Sequence, residues 1–142
     1  MNKYALIFLT SLLCSCAQMQ SSHTKSASLF ERIGGLPVLT VVVSETIDNA
    51  SNDPKMKRSF DGVKLTTLKQ SVVDQLCFLT GGGCVYEGET MKNSHRDLKI
   101  TTAEFELFVA TFRTSLNQHV GESEKNELLK ILAPMKRDIV TD

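Results

Sequence analysis

His95 is the residue whose type and setting best fit metal chemistry. It lies in residues 81–100, a glycine-rich stretch between two helical patterns that also holds Tyr86, Met91 and Ile100. A neutral imidazole carries a nitrogen lone pair at physiological pH, which makes histidine the commonest metal ligand. No second histidine or cysteine pair stands at the spacing of a zinc site. One histidine is enough where a porphyrin supplies four nitrogens to the metal. On spacing alone two roles stay open: an axial ligand, or a hydrogen-bonded structural residue, which is the commoner role.

Other chemical signals are weak. The glycines at 81–83 are not followed by the lysine of a phosphate-binding loop, and no nucleophile-elbow motif occurs. His119 stands at a predicted helix end, where a capping role is expected. The formal net charge is +0 without a long basic run, which argues against a nucleic-acid partner.

Apolar spacing predicts the helices that position His95. One stripe recurs at steps of three and four; it consists of Leu65, Leu68, Val72, Leu76 and Leu79. Thr101 and Glu104 form a predicted capping box ahead of a second stripe. That stripe consists of Phe105, Phe108, Val109, Phe112 and Leu116. A last helix is predicted over residues 122–132.

Two shorter segments are less decisive. Residues 40–43 are β-branched and favour a strand, whereas Leu39, Val42, Val43, Thr46 and Ile47 fit one helix face. Residues 36–50 are therefore open between strand and helix. Asp53 and Pro54 predict the start of a short helix that reaches Ser59.

The amino-terminal residues predict a targeting segment. Lys3 precedes an apolar run over residues 4–13, which is too short to span a bilayer as a mature helix. The sequence Leu13-Cys14-Ser15-Cys16 resembles the lipobox of bacterial lipoproteins. This resemblance implies cleavage before Cys16 and acylation of that residue; an ordinary secretory signal cleaved a few residues later is the alternative.

We therefore expect a signal peptide over residues 1–15, a flexible Ser-rich tether over 16–27, and one folded domain over 28–142. The absence of aspartate after Cys16 implies, by the same resemblance, the periplasmic face of an outer membrane. In an oxidising compartment Cys77 and Cys84 can form a disulfide, since the glycines between them let the chain fold back. The alternative is two separate small apolar residues.

In order and spacing, these motifs resemble the truncated haemoglobins, group I in particular. The resemblance covers about residues 29–140. It includes LFERIGG at residues 29–35, Phe60 before the long helix, and YEG at residues 86–88. Its most specific part is MKNSH at residues 91–95, with Ile100, Thr101 and Phe105 after it.

The resemblance implies an all-α fold, a two-over-two helical sandwich around haem b, and it favours helix for residues 36–50. It implies that His95 is the proximal ligand of a pentacoordinate haem iron that reversibly binds oxygen, nitric oxide or carbon monoxide. Apolar cofactor contacts would come from Phe60, Leu68, Val72, Met91, Ile100 and Phe105. A second axial histidine is not expected, because the long helix contains none.

The other side of the cofactor departs from the family pattern. Many members carry a tyrosine there that donates a hydrogen bond to bound oxygen, and the matching position is Ile47, or Thr46 with a one-residue slip. Ser71 and Gln75 are further polar candidates on that side. Without the tyrosine we expect weaker oxygen retention, with carbon monoxide less affected.

Two functional alternatives follow from these expectations. A nitric oxide dioxygenase side activity would need an external reductase, because the chain carries no flavin or nicotinamide motif. The competing function is a haem-free envelope lipoprotein with a globin fold that acts as an interaction module.

Overall fold

The computed structural model of the protein describes residues 26–141. The predicted signal peptide, Cys16 and most of the predicted tether lie outside the described residues. The α-helices are α1 (Leu29–Ile33), α2 (Gly35–Asn52), α3 (Leu65–Leu79), α4 (Met91–His95), α5 (Thr102–His119), α6 (Glu122–Leu132) and α7 (Lys136–Ile139). Short 3₁₀ helices cover Lys57–Phe60 and Ala133–Met135. Residues 26–141 contain no strand, only one isolated parallel bridge between Ile100 and Val140, and no helix among them is long and apolar enough to span a membrane.

The ambiguous segment is helix α2. The five residues of its predicted helical face, Leu39, Val42, Val43, Thr46 and Ile47, are all buried. Helix α2 packs against both α3 and α5. The β-branched run therefore follows tertiary burial rather than strand propensity.

A predicted helix start at Asp53 is wrong. Asp53 instead ends α2, where its backbone N–H donates to the carbonyl of Ala50 at 3.2 Å. The Asp53 side chain accepts from the backbone N–H of Lys55 at 2.8 Å. This is the bond that an N-cap side chain makes, but the chain continues as a turn and then as the 3₁₀ helix Lys57–Phe60 rather than as an α-helix.

Burial changes along α3 and α5. In the second halves of these helices the core includes Val73, Leu76, Phe112 and Leu116, all buried. Apolar residues of the first halves are only half-buried; they are Leu65, Leu68, Val72, Phe105, Phe108 and Val109. The buried members of the two stripes, Leu76, Phe112 and Leu116, therefore all lie in the second halves of the helices, although Leu79 at the end of α3 is half-buried.

Candidate functional site

The segment before α4 is fixed to the end of α3. A disulfide joins Cys77 to Cys84, with their Cα atoms 5.7 Å apart. The backbone N–H of Gly82 donates to the carbonyl of Cys77 at 2.8 Å. A Cβ at Gly82 would lie 2.5 Å from Cys77 Sγ and 2.6 Å from the Phe30 ring. Glycine is thus required here by close packing, and the loop starts from a defined position.

The start of helix α4 is capped by Thr90. The Thr90 side chain accepts from the backbone N–H of Asn93 at 3.2 Å, and the Tyr86 hydroxyl donates to the carbonyl of Glu89 at 2.9 Å. The helix has five residues and none of them is buried. Such a short helix is marginal by itself, so its position depends on contacts with other elements.

His95, the last residue of α4, is held by its own helix. Its Nδ1 lies 2.8 Å from the carbonyl oxygen of Met91. A carbonyl oxygen only accepts, so Nδ1 is the donor in this bond; the hydroxyl oxygen of Ser94 also lies 3.0 Å from Nδ1. In the neutral form of a ring held this way Nε2 keeps its lone pair, and the hydrogen bond to Met91 fixes the direction of the ring. This is the arrangement in which histidine ligates a metal.

The predicted apolar contacts differ in burial. Ile100 is buried, at 7% exposure. The other five are half-buried; they are Phe60, Leu68, Val72, Met91 and Phe105. Phe105 also has the Lys136 ammonium 5.6 Å from its ring centroid. Phe60, Leu68 and Val72 pack against the main core, so they are edges of the core rather than isolated surface residues.

The residues predicted to lie on the other side of the cofactor from His95 have different surroundings. Ile47 belongs to the buried core. The Thr46 hydroxyl donates to the carbonyl of Val42 at 2.7 Å, so its proton is already committed. Ser71 lines a surface groove of about 240 Å³ together with Tyr86. The Gln75 amide nitrogen lies 3.8 Å from the sulfur of Met91, which directs Gln75 towards α4.

Two surface grooves within residues 26–141 are not lined by His95. The groove beside Ser71 is lined by α3 and residues 85–88. A second groove of about 230 Å³ lies between α4 and α7 and is lined by Lys92, Arg96, Arg137 and Asp138, among others. Both are smaller than the roughly 300 Å³ at which typical ligand pockets begin. We therefore place the candidate site by the donor geometry of His95 rather than by these grooves.

Arg58 and Glu104 form a contact that the sequence did not predict. The Arg58 guanidinium donates to both carboxylate oxygens of Glu104, at 2.6 and 2.5 Å. Hydrogen bonding from Arg58 lowers the pKa of Glu104 to about 2. The predicted capping box placed Glu104 in the first turn of a helix, but no local pattern links Glu104 to a residue 46 positions away.

Comparison with known proteins identifies similar sequences and folds. The family model described as bacterial-like globin matches residues 28–141. The sequence is 31% identical over 116 residues to the group 1 truncated hemoglobin GlbN of Mycolicibacterium paratuberculosis, covering 81% of this chain and 85% of that protein.

Solved structures with similar folds include the Fe(III) form of the truncated hemoglobin from Tetrahymena pyriformis. The TM-score is 0.76 at 20% identity, covering 82% of this chain and all of that one, 100%. The 2/2 hemoglobin from Synechococcus sp., in the cyanomet state with covalently attached heme, has a TM-score of 0.75 at 22% identity, covering 80% and 98% of the two chains. These likenesses confirm the all-α, two-over-two fold.

Proposed function

The chain belongs to the bacterial-like globin family, as a truncated haemoglobin of group I, and we propose that it binds haem b through His95 and takes up a diatomic gas. The observation that carries this proposal is the 2.8 Å bond between His95 Nδ1 and the Met91 carbonyl. It leaves Nε2 as a free, oriented lone pair, which is what an axial ligand needs.

The burial pattern fits a flat apolar cofactor. The half-buried stripe at the start of α3 and of α5 leaves apolar area that protein atoms do not cover. Covering such area is favourable by about 25 cal/mol per Å². A porphyrin held between these helix halves and α4 would cover this apolar area. Its apolar walls would then be Phe60, Leu68, Val72, Met91, Ile100 and Phe105.

The protein's own residues would set the chemistry of this site. Bound haem would supply an iron with one open coordination position for oxygen, nitric oxide or carbon monoxide. The Met91 carbonyl orients the imidazole and raises its basicity by accepting the Nδ1 hydrogen. Half-buried apolar side chains restrict water. Helix α3 offers no histidine that could occupy the open position, so we propose a pentacoordinate resting site.

The preference among gases would depend on the side of the cofactor opposite His95. Ile47 has no hydrogen-bond donor, and the Thr46 proton is bonded to Val42. Ser71 lines a surface groove, and the Gln75 amide is directed towards Met91. A donor on this side would favour oxygen over carbon monoxide, because a hydrogen bond is stronger to the acceptor with more negative charge. We therefore propose weak oxygen retention, with carbon monoxide less affected.

We further propose that the protein is anchored to the cell envelope by acyl chains on Cys16, at the periplasmic face of the outer membrane. The support is the lipobox-like sequence that ends at Cys16, and two or more acyl chains anchor a protein stably. A nitric oxide dioxygenase activity would draw electrons from an external reductase.

An absorbance titration of the purified chain with haem tests the proposal. We expect one haem per chain and a sharp Soret band that shifts with carbon monoxide. A folded helical protein, by circular dichroism, that produces no such band would instead support the haem-free interaction module.

A further inference from the structure

We propose that Arg58 is a positioning residue that holds the turn after His95, at Leu98 and Lys99, in place and thereby sets how fast haem is lost. The inference rests on the proposed function, because it concerns retention of the cofactor at His95. It starts from the 3₁₀ helix Lys57–Phe60, which carries both Arg58 and the predicted haem contact Phe60.

The guanidinium of Arg58 reaches across to the chain that follows α4. It donates to the carbonyl of Leu98 at 2.9 Å and to that of Lys99 at 2.9 Å. These residues lie three and four positions after His95. One side chain thus ties the element that carries Phe60 to the turn next to the proximal histidine.

The same side chain also holds the start of α5. Glu104 accepts from Arg58 through both oxygens, and it accepts as well from the backbone N–H of Thr101 at 3.0 Å. A planar guanidinium can make these four bonds together, whereas a lysine ammonium cannot. Arg58 therefore connects three segments that surround the candidate site.

The turn that Arg58 holds needs support. Lys99 has a φ of 50°, a left-handed conformation that residues other than glycine rarely adopt. Helix α4 contributes no buried residue that could fix the turn from the other side. Besides Arg58, the bond from the Thr141 N–H to the Ile100 carbonyl, at 3.0 Å, holds this region.

Haem transfer from the full-length loaded protein to an excess of apomyoglobin measures the effect. We expect Arg58→Met to lose haem about tenfold faster, which corresponds to about 1.4 kcal/mol. Arg58→Lys can keep an ion pair with Glu104 but not both carbonyl bonds, so we expect a several-fold increase with little change in melting temperature. The matched control is Arg137→Met, since Arg137 is exposed and pairs only with its neighbour Asp138 at 3.9 Å among the described contacts.

A second readout separates positioning from general stability. The iron–histidine stretching band in the resonance Raman spectrum should shift in Arg58→Met and Arg58→Lys but not in Arg137→Met. Wild-type haem loss and an unshifted band in Arg58→Lys would overturn the inference even if Arg58→Met failed to fold. Equal acceleration in Arg137→Met would overturn it too. If the wild-type chain binds no haem, the proposed function fails; if it binds haem and only these changes are absent, the role of Arg58 alone fails.

Discussion

At the scale of single residues, His95 differs from an ordinary surface histidine because its Nδ1 donates to the Met91 carbonyl, which fixes the direction of the ring. The residue type and its place after Met91 were visible in the sequence. The hydrogen bond follows from the helical spacing of four, once α4 is known to form. The bonds of Arg58 could not be predicted, because they join positions 40 to 46 residues apart.

A hydroxyl introduced at position 47 tests the proposed lack of an oxygen donor. We expect Ile47→Tyr to slow oxygen dissociation by about tenfold or more relative to Ile47→Phe, since a hydrogen bond to a charged group contributes roughly 1.5–3 kcal/mol. The phenylalanine variant has the same ring without the hydroxyl, so it controls for crowding at this buried position. Stopped-flow dissociation rates measure the difference. Equal rates in the two variants would contradict the proposed lack of an oxygen donor on the side opposite His95.

Glu104 makes stability depend on pH. Its pKa is lowered to about 2 from the ordinary 4.5, chiefly by the hydrogen bond from Arg58. The stabilisation is therefore fully present above about pH 4.5 and is lost as the pH falls towards 2. We expect Glu104→Gln to lower Tm by a few degrees at pH 7, with a difference from wild type that shrinks below pH 4.5. A difference that stays constant from pH 7 to pH 3 would count against the ion pair.

At the scale of helices, tertiary contacts determine the conformation of segments whose local sequence pattern is ambiguous. The capping box of α5 and the bounds of α6 agree with the patterns, because both depend on neighbouring residues. Helix α2 contains a β-branched run, and its burial between α3 and α5 determines its conformation. Around Asp53 the helix signal was wrong: the carboxylate caps the turn after α2, and only the short 3₁₀ helix Lys57–Phe60 follows.

The disulfide fixes the loop that leads to α4. Closing a loop with a sequence separation of 7 contributes about 2–3 kcal/mol in the chain-entropy view. We expect a reductant to lower the free energy of unfolding of the wild-type chain by this amount, as measured by urea denaturation. Cys84→Ser is the control and should show no response to reductant. An unchanged wild-type free energy would mean that the bond contributes little.

At the scale of the whole molecule, the chain combines a fully packed core with an incompletely packed set of helix halves. The apolar stripes were visible in the sequence, but the division between buried and half-buried residues depends on how α2, α3 and α5 meet. The described domain begins next to the predicted tether, so Ser28 is where an anchor would join it.

The proposed anchor predicts a change in fractionation. We expect Cys16→Ser to move the protein from the membrane pellet to the soluble fraction, because acyl chains can no longer be attached to a thiol at that position. Cys14→Ser makes the same chemical change two residues earlier and should leave the protein in the pellet. Release of both variants, or of neither, would argue against lipidation at Cys16.

The most direct test of the central claim is the absorbance spectrum of His95→Gly loaded with haem, with and without free imidazole. We expect the wild-type Soret band to be lost or strongly reduced in the variant and to be restored by imidazole, since imidazole can take the place of the missing side chain. His119→Gly is the control, because His119 pairs with Glu45 at 3.0 Å, and it should keep the wild-type spectrum. A His95→Gly protein with the wild-type spectrum and wild-type haem affinity in the absence of imidazole would contradict the assignment of His95 as the axial ligand.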